Sequence, residues 1–131
     1  MYERYGERVQ FFVLYIREAH PADDWAREVN PRLKFIKDPT NLFERFQVAN
    51  TCVNDLKISI PTLIDGMDNS TAHAYKSWPD RLYLVGKDGN IAYAGAPGPQ
   101  GFKPKQLEAA IDAELRIIGR SEASPAAPAS N

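Results

Sequence analysis

The sequence predicts an α/β domain, and three stretches carry that prediction. Gln10 to Ile16 (QFFVLYI) is a near-continuous apolar and aromatic run, which suits a strand buried on both faces of a parallel sheet. Leu42, Phe46, Ala49, Val53 and Leu56 recur at helical spacing and give one apolar stripe that must lie on that sheet. Arg81 to Val85 and Ile91 to Ala94 flank Lys87-Asp88-Gly89-Asn90, and Asp-Gly between apolar runs signals a tight β-hairpin.

Taken in order, the chain opens with MYERYGER, read as the last turn of a helix closed by Gly6 in a left-handed cap. The strand Gln10–Ile16 follows, then a helix from Pro21 to Val29, where proline suits the first turn. Pro31 breaks the chain, and Leu33 to Ile36 crosses to the striped helix, which starts after Asp38-Pro39. Ile58 to Asp65 (ISIPTLID) is the next strand, so strand, long crossover and strand form a βαβ unit, parallel and right-handed. Pro61 favours an edge position for it. Ser70 to Lys76 forms a short helix before Trp78-Pro79, the hairpin comes next, and Gly95 to Gly101 is an irregular loop. A last helix starts at Pro104, with Leu107, Ile111, Leu115 and Ile118 facing inward up to Gly119. SEASPAAPASN has nothing to bury, so the expected organisation is one domain over 1–119 and a disordered tail over 120–131.

The 131 residues, 44% of them hydrophobic, suffice for one ordinary core. A formal net charge of −1 and a pI near 6.1 offer no broad basic face, which argues against nucleic acid and against an anionic membrane surface. One cysteine, Cys52, excludes an internal disulfide, and with two histidines it makes a structural zinc site a poor fit. No apolar run reaches a membrane span and the N-terminus lacks a signal-peptide core, so a cytoplasmic location is expected.

Chemistry gathers at the end of the first strand. In open α/β sheets ligands bind beyond the carboxyl ends of parallel strands, and there Arg17, Glu18 and His20 crowd together. The bland reading of His20 is a surface loop histidine. The chemical one is a proton donor near neutral pH, oriented or held charged by Glu18. Arg81 could pair with Asp80 or cap a helix; equally, its guanidinium could depress a neighbouring thiol or selenol pKa or bind a polar substrate oxygen. Cys52, flanking the apolar stripe, reads first as a buried inert thiol. His73 reads as solvated, and Tyr15 and Trp25 as core.

Four motifs in order, YIREAHPADDW, LIDGMDN, AYKSWPDRLY and YAGAPGPQGFKP, resemble the iodothyronine deiodinase family over about residues 5 to 118. More broadly, ISIPTLIDGMDNSTAHAY followed by WPDRLYLVGKDGNIAYAG resembles the later half of peroxiredoxins and other thioredoxin-fold thiol enzymes. The resemblance implies a thioredoxin-like fold of the peroxiredoxin-like variant, lacking its first strand and most of its first helix: a βαβ unit, a β-hairpin and a C-terminal helix. It implies reductive dehalogenation of an aromatic halide by a selenolate or thiolate, with His20 and Glu18 in proton transfer, Arg81 on the substrate and Cys52 as resolving thiol. Catalytic residues are therefore expected at His20, Glu18, Arg81 and Cys52, with no bound cofactor beyond an external thiol reductant. Pro79 resembles the proline, often cis, that precedes this strand in such sites. Asp24 departs from the glycine usual in the family motif.

The family's attacking selenocysteine or cysteine has no counterpart in these residues, and its strand would lie between Phe11–Arg17 and the first hairpin strand. The expectation is then an open seam whose orphan backbone groups each cost roughly 1–3 kcal/mol if kept from water, a homodimer or other chain closing it, and inactivity of the chain alone. Met1 is expected to lie downstream of an in-frame UGA or cysteine codon. Two rival readings stand beside this one, a peroxiredoxin-like thiol peroxidase acting on peroxide and a non-catalytic thioredoxin-like binding module.

Overall fold

The structure, a computed structural model, describes residues 1–19 and 36–123. It is a mixed α/β chain of two compact units, Met1–Pro79 and the residues from Asp80 onward. The first unit holds α1 (Tyr2–Tyr5), β1 (Val13–Tyr15), α2 (Leu42–Asp55), β2 (Thr62–Ile64) and α3 (Ser70–Tyr75). The second holds β3 (Tyr83–Val85), β4 (Ile91–Ala94) and α4 (Pro104–Ala123). The helix expected over Pro21–Val29 lies outside the described residues.

In the first unit β1 and β2 pair in parallel, Val13 opposite Thr62, Leu14 opposite Leu63 and Tyr15 opposite Ile64. Hydrogen bonds from Val13 N–H to the Pro61 carbonyl and from Asp65 N–H to the Tyr15 carbonyl, each 2.9 Å, extend the ladder at both ends. Both strands are shorter than expected, and the apolar run is not buried on both faces. Thr62 and Ile64 are half-buried while Leu63 between them is 50% exposed, and Phe12 is 57% exposed. With period-2 alternation, one face of β2 is covered and the other is open among the described residues. Among the described residues β2 has β1 as its one neighbour, the edge position that Pro61 suggested.

The crossover helix α2 starts at Leu42, shortly after the expected Asp38-Pro39, where Asn41 caps it. Asn41 accepts from the Glu44 N–H at 2.9 Å, and the Glu44 carboxylate reaches back to Thr40 N–H and Oγ1, both at 2.8 Å. This is a capping box displaced by one residue. Those bonds, chiefly the one from the Thr40 backbone, hold the Glu44 carboxyl below its usual range. The helix buries only part of the expected apolar stripe. Leu42, Phe46 and Leu56 are 50–67% exposed, and the covered positions are Arg45 and Ala49, each 2% exposed. Ala49 belongs to that stripe and Val53, like Cys52, is half-buried, so the covered face takes in one side of the stripe and adds Arg45.

α1 is a single turn anchored by Tyr5, which is fully buried, with the Arg4 and Arg8 guanidinium carbons 4.9 and 5.9 Å from its ring centre. Gly6 follows in right-handed helical conformation, φ −58°, so the expected left-handed cap is absent. Arg8 and Val9 N–H instead return to the Tyr5 carbonyl.

The second unit follows the local signals closely. β3 and β4 are antiparallel, Tyr83 opposite Ala94 and Leu84 opposite Tyr93, with a register irregularity between Leu84 and Val85. Gly89 takes φ +83°, the conformation that the Asp-Gly turn demanded. Leu84, Leu107 and Ile111 form its buried apolar centre, with Leu115 and Ile118 half-buried behind them. α4 runs past the expected stop at Gly119 to Ala123, so 120–123 are helical rather than part of a disordered tail. A helical glycine costs only about 1 kcal/mol relative to alanine, too little to end a helix already propagated over four turns.

Candidate functional site

The carboxyl ends of β1 and β2 lie side by side, and a polar network closes them. Tyr15, expected in the core, is half-buried, and its hydroxyl donates to the Glu18 carboxylate. Glu18 is three positions on from Tyr15, so the strand's last ring reaches over the turn to fix the carboxylate that follows it. One residue earlier, the Arg17 guanidinium stacks 5.0 Å from the centre of the Trp78 ring. His20, the expected proton donor, lies outside the described residues, as do Asp24 and Trp25.

Across the ladder, Asp65 ends β2 and is 2% exposed. Its carboxylate accepts from the N–H groups of Gly66 at 3.0 Å, Thr71 at 3.2 Å and Ala72 at 2.8 Å. Burial pushes its pKa up, but the bonds from Ala72, Thr71 and Gly66 together outweigh that, and the carboxyl sits below its ordinary value. Arg45 reaches in from α2 and donates from one Nη1 to the carbonyls of Asp65 at 3.2 Å and Gly66 at 2.6 Å. Among the described residues its buried Nε has no hydrogen-bond partner. The loop from Asp65 to Ser70 is thereby held from both sides, by an anion on its N–H groups and by a cation on its carbonyls.

Cys52 lies two turns along α2 from Arg45, half-buried and unpaired. Burial raises its pKa, and the carboxylates of Glu18 and then Asp55 raise it further. Two of the expected site residues, Glu18 and Cys52, are thus close enough to interact electrostatically. The raised pKa also removes the condition a nucleophilic thiol needs.

Arg81 belongs to the second unit. Its Nη1 donates to the Tyr83 hydroxyl at 3.1 Å and its buried Nε lacks a partner, so the alternative of an Asp80 ion pair is not the one found. Asp80 instead underlies the loop 95–101, where its carbonyl accepts from Gly98 N–H at 3.0 Å. The Trp78–Pro79 peptide is cis, as the motif suggested. Among the described residues no group of three or more His, Cys, Asp or Glu side chains could hold a metal ion, and no helix is long and apolar enough to cross a membrane.

The iodothyronine deiodinase family model matches residues 1–114, a stretch that takes in all four motifs. The chain belongs to the iodothyronine deiodinase family. It is 36% identical over 97 residues to the type I iodothyronine deiodinase of Xenopus laevis, covering 74% of this chain and 36% of that protein. To the thyroxine 5-deiodinases of Sparus aurata and Homo sapiens it is 34% and 32% identical over 104 residues, 79% of this chain and 38% and 33% of theirs. This deiodinase-family chain thus spans a little over a third of the length of its curated relatives. Arg45 and Asp65 escaped the sequence reading. The available signals were an arginine one turn from an alanine inside an apolar stripe, and an aspartate closing a strand directly before glycine.

Proposed function

We propose that this chain is a deiodinase-type oxidoreductase module of thioredoxin-like fold, serving reductive replacement of an aromatic carbon–iodine bond by carbon–hydrogen. The family match supports the reaction class, and the observation that carries the site is the Glu18 carboxylate held by Tyr15 at the carboxyl end of β1, beside Cys52. A selenolate or thiolate takes the iodine as a selenenyl or sulfenyl iodide, and the carbon that loses it receives a proton. In this reading His20 with Glu18 delivers that proton, and Arg81 holds a polar oxygen of the substrate. A second thiol then displaces iodide, forming a mixed selenenylsulfide or disulfide, and an external thiol reduces this to regenerate the attacking group. Cys52, with its raised pKa, suits the second role rather than the first. The attacking group is therefore one that these 131 residues do not supply. No bound cofactor is required. The open edges of two-stranded sheets further suit self-association.

The experiment is titration of the purified chain with an iodinated phenol, read by quenching of tryptophan fluorescence, beside iodide release with a dithiol. Expected are saturable binding that prefers the iodinated over the parent phenol, a loss of at least about fivefold in affinity on Arg81→Ala, and no iodide release above the thiol alone. Absence of any preference for the iodinated ring would remove the substrate class. Release abolished by Cys52→Ser would make Cys52 the attacking group.

A further inference from the structure

Arg45 is an expensive residue to bury where it lies. A guanidinium has been taken out of water, its Nε is left without a partner, and the groups it meets are two backbone carbonyls. A leucine would fill that helical position at less cost, so the site gains something other than burial. What Arg45 holds is the first step of a continuous path. Its Nη1 fixes the carbonyls of Asp65 and Gly66, Asp65 N–H binds the Tyr15 carbonyl at 2.9 Å, and the Tyr15 hydroxyl binds Glu18. Glu18, the far end of that path, bears electrostatically on Cys52 of α2, seven residues from Arg45 on the same helical face, and adds to the effect of burial in raising that thiol.

We infer that Arg45 is a positioning residue: through the Asp65–Gly66 backbone and Tyr15 it sets where the Glu18 carboxylate stands relative to Cys52. Its importance for catalysis rests on the function proposed above, whereas the geometric link can be tested without any turnover. Cys52 is the chain's one thiol and therefore reports on its own surroundings. The carboxylates acting on it are Glu18 and Asp55. If Arg45 releases the loop, the Glu18 carboxylate is free to move away from a forming thiolate, and the thiol titrates lower. Removing the cation alone, with Glu18 unmoved, has the opposite sign, because a lost positive charge disfavours the thiolate.

The test follows thiolate absorbance against pH in the intact 131-residue chain and in Glu18→Gln, Tyr15→Phe, Arg45→Met, Arg45→Lys and Glu18→Gln/Arg45→Met variants, each checked for native circular dichroism. Glu18→Gln should lower the Cys52 midpoint. Tyr15→Phe and Arg45→Met should lower it in the same direction, and the double variant should match Glu18→Gln alone. Arg45→Lys keeps the charge but cannot fork across two carbonyls, so it too should lower the midpoint, and it stands in if Arg45→Met does not fold. A folded Arg45→Met or Arg45→Lys chain with an unchanged or raised midpoint, while Tyr15→Phe and Glu18→Gln shift it, would overturn the inference. Such an outcome leaves the dehalogenation reading intact, since that reading fails separately, on iodophenol binding.

Discussion

The two units of this chain are stabilised by different means. From Asp80 onward, three aliphatic side chains, Leu84, Leu107 and Ile111, make a dry centre under a hairpin. Among the described residues up to Pro79, the covered positions are one aromatic ring, Tyr5, one proline, Pro39, two alanines, Ala49 and Ala72, and two charged residues, Arg45 and Asp65. The second unit is stabilised mainly by the removal of apolar surface from water. Among its described residues the first depends more on hydrogen bonds to ionised groups, stronger individually but sensitive to geometry and to protonation. Expected function falls in the unit with that polar construction: Glu18 is linked to Asp65 through Tyr15, and Cys52 lies two turns along α2 from Arg45.

Substitutions should separate the two constructions. Ile111→Ala, at a position 1% exposed, removes the centre of the second unit and is expected to cost about 3 kcal/mol in denaturant unfolding. Asp65→Ala strands three N–H groups and should cost about 2–3 kcal/mol, with the loss concentrated in the first unit's amides. Gly101→Ala comes next, at about 1–3 kcal/mol. A Cβ there would overlap the Ala96 carbonyl and the Pro97 oxygen, backbone atoms that cannot rotate away. Gly98→Ala should cost less, because the Asp80 carboxylate it meets can swing aside. Phe46→Ser should change stability by no more than about 0.5 kcal/mol, since half of that ring is already in water. A large loss at Phe46 would mean the apolar stripe is covered after all.

Legibility in the sequence divides along the same line. Asp-Gly, Pro104 and the Leu107–Ile111 spacing describe the second unit almost completely, because hairpins and amphipathic helices are encoded by neighbours. In the first unit the parallel pairing and the start of α2 after Asp38-Pro39 were readable, although the Asn41 and Glu44 cap that fixes it was passed over. The burial was not. Hydrophobic periodicity ranks Phe46 above Arg45, and only the carbonyls of Asp65 and Gly66, twenty residues away, reverse that order. Gly6 and Gly119 failed as punctuation for a related reason: a glycine permits a left-handed cap or a helix end without compelling either. Of the expected site residues, Glu18 was singled out by its place at a strand end and Cys52 only by the family resemblance, whereas the Tyr15 hydroxyl that anchors Glu18 was hidden behind an aromatic ring that reads as core.

The most direct test of this division is the acid dependence of amide hydrogen exchange, resolved residue by residue. Asp65 has a carboxyl held below its ordinary value, so its stabilisation is present above the usual carboxylate range and is lost as pH falls through that lowered value. Asp88 at the hairpin tip is also lowered, chiefly by the Asn90 side chain, but it is fully solvated and its effect is screened. Between about pH 7 and about pH 2, after correction for intrinsic rates, the Gly66, Thr71 and Ala72 amides should lose protection first, while those of α4 around Leu107 and Ile111 keep theirs. Simultaneous loss in both units, or loss in α4 first, would contradict the claim that a polar network rather than an apolar core holds the candidate site.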